Sequence, residues 1–173
     1  MSNPLDFSGR VVLVTGGGKG IGKGIAETFL AAGARVIICG RSEPDYLPES
    51  EGHQATFIHC DVREFDQIEQ CLAQVKEHFG RLDVCVNNAA VAPHASLLEE
   101  RVEVWDTVYG VNCRGTFLMT QAAARVMIEQ GEGGRIINFS SGVSQKGSAG
   151  AAAYASSRAA TEAFGRVAAI ELA

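Results

Sequence analysis

Apolar residues fall along this chain in two alternating rhythms. Short unbroken runs, rich in β-branched residues, recur at residues 11–14, 36–39, 57–60, 84–86 and 136–139. Runs of that length without polar alternation predict strands covered on both faces. Between them stand helical patterns, the clearest being Phe65, Ile68, Leu72, Val75 and Phe79, whose spacings of 3, 4, 3 and 4 trace one apolar stripe of an amphipathic helix. Ile21, Ile25 and Phe29, with Ala26 and Leu30 beside them, predict a second stripe. Strands that alternate with helices pair in parallel through right-handed crossovers. The pattern therefore predicts an α/β fold, a doubly wound parallel sheet in layers. Residues 42–52, with Pro44 and Pro48, read as a solvated loop. No repeat with a period of about 20 to 50 residues is found, and the one biased stretch is the Gly/Ala/Ser run at residues 142–153.

Composition supports such a core. The chain is 46% hydrophobic and 20% charged, which excludes disorder for it as a whole. Its 173 residues suit one domain. Fifteen Lys and Arg against 20 Asp and Glu leave a net charge of −5, which argues against nucleic acid or an anionic membrane held by general electrostatics. No run of about 18 apolar residues could span a bilayer. The start, Met1-Ser2-Asn3-Pro4-Leu5-Asp6, has no basic and then apolar export signal. Cys39, Cys60, Cys71, Cys85 and Cys113 contain no C-x-x-C pair, so their spacing indicates neither a zinc site nor a disulfide framework. His53, His59, His78 and His94 share no metal-ligand spacing either. A reduced, cytoplasmic setting and a site without metal are the expectations.

The first strand runs into Thr15-Gly16-Gly17-Gly18-Lys19-Gly20-Ile21-Gly22, which opens the first helix. Glycines here let a phosphate approach the backbone N–H groups at the positive end of a helix. Two phosphate chemistries compete for this turn. A P-loop would use Gly17, Gly22 and Lys23, but Gly24 stands where a magnesium-binding hydroxyl is required. A dinucleotide site of the Rossmann kind fits the strand–turn–helix context, although Gly16, Gly20 and Gly22 are not spaced as G-x-G-x-x-G.

Thr15-Gly-x-x-x-Gly20-Ile21-Gly22, Asp61-Val62, Asn87-Asn88-Ala89-Ala90, Asn112, Ser141 and Tyr154, in that order, resemble the short-chain dehydrogenase/reductase family from residue 9 onward. The resemblance implies a Rossmann-type sheet with five strands in the order 3-2-1-4-5 and a bound nicotinamide dinucleotide. It also implies hydride transfer between that cofactor and an alcohol or carbonyl compound. The cofactor set it implies is Thr15, Gly16, Lys19, Gly20, Ile21, Gly22, Arg41, Asp61, Val62, Asn88 and Ala89, joined by Tyr154 and Arg158. Asp61 and Val62 would border the adenine, and Asn88 and Ala89 its ribose. Helices flanking the fifth strand, including the one with Tyr154, would form a homo-oligomer, a dimer or tetramer. Trp105, Val108 and the Phe117–Leu118 pair read as core or subunit contact.

The second strand ends Ile38-Cys39-Gly40-Arg41, with no acidic residue to accept a ribose 2′-hydroxyl and an arginine able to grip a 2′-phosphate bidentately. Lys19 adds a second cation, so NADP(H) is preferred and NAD(H) remains open.

Hydride reduction of a carbonyl also needs a proton donor. A tyrosine serves only if its phenol is made more acidic, by roughly three pKa units or about 4 kcal/mol. A cation about 4 Å away at an effective dielectric near 20 supplies about that. Arg158 stands at i+4 from Tyr154, on one helix face with it. By resemblance Ser141 anchors the substrate oxygen, with Ser140 as the fallback, and Asn112 orders a water behind the pair.

Arg158 departs from the family's Tyr-x-x-x-Lys; it keeps the charge but cannot release a proton. The chain also stops at Ala173 in the Tyr154 helix with no capping glycine, which favours a truncated single domain over residues 1–173, lacking the family's C-terminal substrate-binding part. The fifth strand would then be an apolar sheet edge. A reductase and a dinucleotide-binding module with little turnover both fit these residues.

Overall fold

The computed structural model describes residues 5–173. In chain order it contains β1 (Val11–Thr15), α1 (Gly20–Ala31), β2 (Arg35–Gly40), β3 (Glu49–Ser50), β4 (His53–Gln54) and β5 (Thr56–His59). There follow α2 (Phe65–Phe79), β6 (Val84–Asn87), α3 (Val102–Tyr109), α4 (Thr116–Glu129), β7 (Arg135–Asn138), α5 (Val143–Lys146) and α6 (Ala152–Glu171). A π-helical turn, Gly110–Gly115, joins α3 to α4. Among the described residues no helix is long and apolar enough to cross a membrane.

The main sheet runs β5-β2-β1-β6-β7 with every neighbour pair parallel, which is the expected 3-2-1-4-5 order once the β3–β4 hairpin is set aside. Alternation along β1 divides the core. Val11 and Leu13 join Ile37, Ile58 and the buried faces of α2 and α4. Val12 and Val14 join Val36, Ile38 and the α1 residues Ala26 and Leu30 on the other face. All four β1 valine and leucine side chains are fully buried, as an unbroken apolar run between two helical layers requires. The crossover changes direction between β1 and β6, so the turns leaving their C-terminal ends part and open a crevice.

Two local expectations are corrected. Residues 42–52 are not all loop, because Glu49–Ser50 pairs antiparallel with His53–Gln54 around Glu51 (φ 50°) and Gly52 (φ 76°). Two consecutive left-handed residues close a tight hairpin, and strands of two residues are too short for any hydrophobic period to reveal. Ile21 is 69% exposed, so the α1 stripe holds at Ile25, Ala26, Phe29 and Leu30 but fails at its first member, where Gly22 is buried instead. The α2 stripe holds: Ile68, Leu72 and Val75 are buried, Phe65 and Phe79 partly, and Gly80 ends the helix in the left-handed conformation. In the aromatic region Trp105 stacks on Tyr109 and Val108 is buried, whereas Phe117 is partly exposed and packs edge-on against Phe164. At the sheet edge β7 exposes Ile137.

Asp83, just before β6, ties the N-terminal ends of the central strands together. Its carboxylate accepts hydrogen bonds from the Val11 backbone (2.8 Å), Arg10 (2.7 Å) and Arg81 (2.6 and 2.8 Å). Burial alone would raise its pKa; the Arg81 hydrogen bonds, then those of Val11 and Arg10, outweigh it and bring the value from 3.8 to about 2. A carboxyl depressed in the folded state stabilises the fold fully above the unfolded value and loses that contribution as pH falls. Stability is therefore expected to drop between pH 4 and 2 by about 2 kcal/mol from this group. Urea titrations across that range should show the slope, and Asp83→Asn should flatten it while costing about 2 kcal/mol at pH 7.

Candidate active site

The floor of the crevice is the turn between β1 and α1. Gly16 (φ 65°) and Gly20 (φ 53°) lie in the left-handed region. Close approach governs the others: a Cβ on Gly17 would stand 2.4 Å from Ile38, and one on Gly22 would stand 2.3 Å from the Gly16 carbonyl oxygen and 2.4 Å from the Asn88 amide nitrogen. Lys19 precedes α1 in an extended conformation with no side-chain cap, and the first turn of α1 holds no acidic residue. The N–H groups there face the crevice as a site for an anion.

Thr15 and Asn88 hold this turn against β6. The buried Thr15 hydroxyl accepts from the backbone N–H groups of Asn88 (3.1 Å) and Ala89 (3.0 Å). The Asn88 side-chain amide donates to the carbonyls of Thr15 (3.0 Å) and Gly16 (3.2 Å). Both residues thus work on the frame around the glycines. Asp61 sits half-buried beyond β5 with its carboxylate gripped by Arg63 at 2.5 to 3.1 Å, and that contact holds the carboxyl below its ordinary range. Val62 is buried beneath Gly115, where a Cβ would come within 2.8 Å of it. The loop after β2 folds onto the glycine turn, since a Cβ on Gly18 would lie 3.2 Å from Pro44. Lys19 and Arg41, on these two loops, are both exposed, and neither forms a salt bridge among the described residues.

Tyr154 and Arg158 meet on α6. The Arg158 guanidinium carbon lies 5.3 Å from the centre of the Tyr154 ring, within reach of a cation–π contact. Arg158 is only 2% exposed; one terminal nitrogen donates to the Phe139 carbonyl at 3.1 Å, and its Nε is buried without a hydrogen-bond partner. A buried cation with an unused donor is costly unless something else completes it. Ser140 and Ser144 both donate to the Glu162 carboxylate, and those two bonds lower its pKa, Ser140 more than Ser144. Ser141 is left with a weak 3.5 Å contact to the Val143 N–H, so its hydroxyl is free to donate where that of Ser140 is not. Glu162 escaped the sequence reading, although its place four residues after Arg158 on the same helix face was a usable signal.

Asn112 lies inside the π-helical turn and is fully buried. Its side chain exchanges two 2.9 Å hydrogen bonds with the Val91 backbone and donates to Ser157 at 3.1 Å, while its carbonyl accepts from the hydroxyls of Thr116 and Thr161. It therefore pins the β6 exit loop to α6. The bare cradle, the uncapped helix start and the orphaned Arg158 donor suit a dinucleotide laid across β1 and β6.

The family model for short chain dehydrogenases matches residues 10–173. The sorbitol dehydrogenase of Cereibacter sphaeroides is 36% identical over 158 residues, covering 90% of this chain and 62% of that protein. The L-xylulose reductase of Bos taurus is 37% identical over 171 residues, covering 97% of this chain and 68% of that protein. A solved short-chain type dehydrogenase/reductase from Mycobacterium marinum superposes with a TM-score of 0.87 at 32% identity, over 97% of this chain and 69% of that one. The chain belongs to the short-chain dehydrogenase/reductase family and spans about two thirds of the length of these relatives.

Two α1 glycines separate the crevice's steric demand from ordinary helix propensity. Gly22→Ala is expected to unfold at lower denaturant and to lose dinucleotide binding, because the new methyl strikes backbone. Gly24 has open space around it, so Gly24→Ala should gain about 0.5–1 kcal/mol. Paired denaturation curves with dinucleotide titrations check both.

Proposed function

We propose that this chain is the cofactor-binding and catalytic part of an NADP(H)-dependent reductase or dehydrogenase for small alcohols and carbonyl compounds. Polyols and ketoses, the compounds named for its relatives, are the first candidates. The observation that carries the reading is Arg158, buried beside Tyr154 with Nε unpartnered, because a stranded guanidinium donor calls for an anionic or hydroxyl-bearing ligand at that point.

In this reading the glycine turn, with Gly16, Gly20, Ile21 and Gly22, receives the pyrophosphate, and Lys19 and Arg41 take the 2′-phosphate. The exposure of both cations without salt-bridge partners, and the contact between their loops, support NADP(H) over NAD(H). Asp61 and Val62 border the adenine, and Asn88 and Ala89 its ribose, through backbone that the Thr15 and Asn88 hydrogen bonds hold in place. NADPH, when bound, supplies the hydride. Ser141 donates a hydrogen bond to the substrate oxygen, and Tyr154 delivers the proton that the developing alkoxide needs. Arg158 stabilises the resulting phenolate with a fixed positive charge. Since a guanidinium does not release protons, Tyr154 is recharged from solvent rather than through this side chain. Asn112 acts by keeping α6 against the crevice. The exposed apolar side chains Phe117, Ile128 and Val167 on α4 and α6 support assembly as a homo-oligomer, and five free thiols suit a reduced cytoplasm.

Tyr154→Phe is expected to lower carbonyl-dependent NADPH oxidation at least 100-fold, the usual scale for losing a general acid. Arg158→Lys should keep or raise the rate. If Tyr154→Phe matched wild type, the phenol would not be the acid, and a binding module with slow background turnover would be the better description. For cofactor choice, Arg41→Ala should weaken NADPH binding roughly 10- to 100-fold, as expected for loss of a charge-assisted contact, and leave NADH binding nearly unchanged. Fluorescence titration reads both affinities.

A further inference from the structure

Three cysteines that no sequence spacing connects converge in the core. Cys39 lies near the end of β2, Cys60 immediately follows β5, and Cys71 projects from α2. Each is at most 2% exposed, and their three sulfurs all lie within 4.8 Å of one another. They belong to the same buried core cluster as Val11, Leu13, Ile37, Ile58, Ile68 and Leu72. The Cys39 thiol, then that of Cys71, hydrogen-bonds Cys60 and holds it below its ordinary pKa, while the contact with Cys60 is the main push raising Cys39. Cysteine often serves as a small apolar residue in cores, but packing gives no reason for three sulfurs from three elements to point at one spot.

We propose that Cys39, Cys60 and Cys71 form a closed three-sulfur site for a trivalent thiophilic ion, represented by arsenic(III). Thiolates select soft ions. Arsenic(III) binds three sulfurs pyramidally at about 2.3 Å, which sets them about 3.4 Å apart, so sulfurs that already lie within 4.8 Å of one another close on it with shifts of under about an ångström each. Charge selects the valence. Three thiolates around a monovalent or divalent ion would leave net negative charge in hydrocarbon, whereas a trivalent ion leaves the adduct neutral. Zinc also seeks a fourth ligand, and among the described residues no fourth His, Cys, Asp or Glu ligand atom lies within 4.8 Å of all three sulfurs. The reaction with arsenous acid balances without redox: three As–O bonds break and three As–S bonds form. Each hydroxide leaves as water with one thiol proton. Burial of all three thiols makes entry slow.

The test uses the fully reduced protein with arsenite. Native mass spectrometry is expected to show one arsenic gained for three protons lost, and arsenic X-ray absorption three sulfur neighbours and no oxygen. Cys39→Val, Cys60→Val and Cys71→Val should each weaken binding at least 10-fold, while Cys85→Val and Cys113→Val leave it intact; alanine at the same positions provides a second series should a valine disturb folding, which circular dichroism reports. An arsenic centre with retained oxygen or only two sulfurs would overturn the proposal. So would unchanged binding in the first three variants, no adduct at all, or displacement of arsenite by equimolar zinc.

Discussion

The open end of this molecule depends on how closely the exit of β1 approaches the exit of β6. The Asn88 amide lies against the carbonyls of Thr15 and Gly16, the Thr15 hydroxyl receives two backbone donors from the β6 side, and Gly22 fits beneath with no room for a methyl group. Main chain thus packs on main chain where side chains would ordinarily intervene. The gain is that the first N–H groups of α1 are presented without obstruction; the cost is a region where single carbon atoms are not tolerated. At the opposite end of the same strands, Asp83 performs the complementary task with charge, gathering the β1 backbone and two arginines. The sheet is therefore registered at both ends by polar contacts and filled between them by aliphatic side chains.

Much of this was legible along the chain. Five apolar runs gave five parallel strands: β1, β2 and β6 are covered on both faces and so show no polar alternation, whereas the edge strands β5 and β7 were legible from their apolar runs although Thr56, His59 and Ile137 are exposed. The α2 stripe was readable because Ile68, Leu72 and Val75 are buried in the one core cluster that α2 shares with α4 and the sheet. The first stripe misled at Ile21, since the opening turn of α1 borders the crevice rather than the core. The β3–β4 hairpin was invisible for a different reason: its existence rests on two left-handed residues, one of them Glu51, whose type carries little turn signal. At the site, Tyr154 and Arg158 could be paired from their spacing alone, but that Arg158 would be buried with a stranded Nε depended on how α6 meets the end of β7. The meeting of Cys39, Cys60 and Cys71 lay wholly beyond spacing rules, because each comes from a separate element.

The carboxylate of Glu162 settles which of two neighbouring serines is available. By accepting from Ser140 and Ser144 it braces the segment after β7 against α6 and leaves Ser141 the one of the three hydroxyls it does not hold. Arg158 reaches the same segment from the preceding helical turn through the Phe139 carbonyl. One face of α6 therefore organises the turn that carries Ser141 and also holds Tyr154, so the two are positioned by a common support.

The π-helical turn at Gly110–Gly115 has a further consequence for how this part of the chain tolerates change. An α-helix advances about 100° per residue, so the wider turn sets the angular phase of α4 relative to α3. It also leaves the Asn112 carbonyl to two threonine hydroxyls, one of them from α6. Removing a single residue here would restore a regular helix and swing Thr120 away from Asn87 and Asn138, its partners on adjacent strands. The segment is consequently constrained in length as well as at Asn112 and Gly115: an insertion or deletion would be transmitted along the whole of α4.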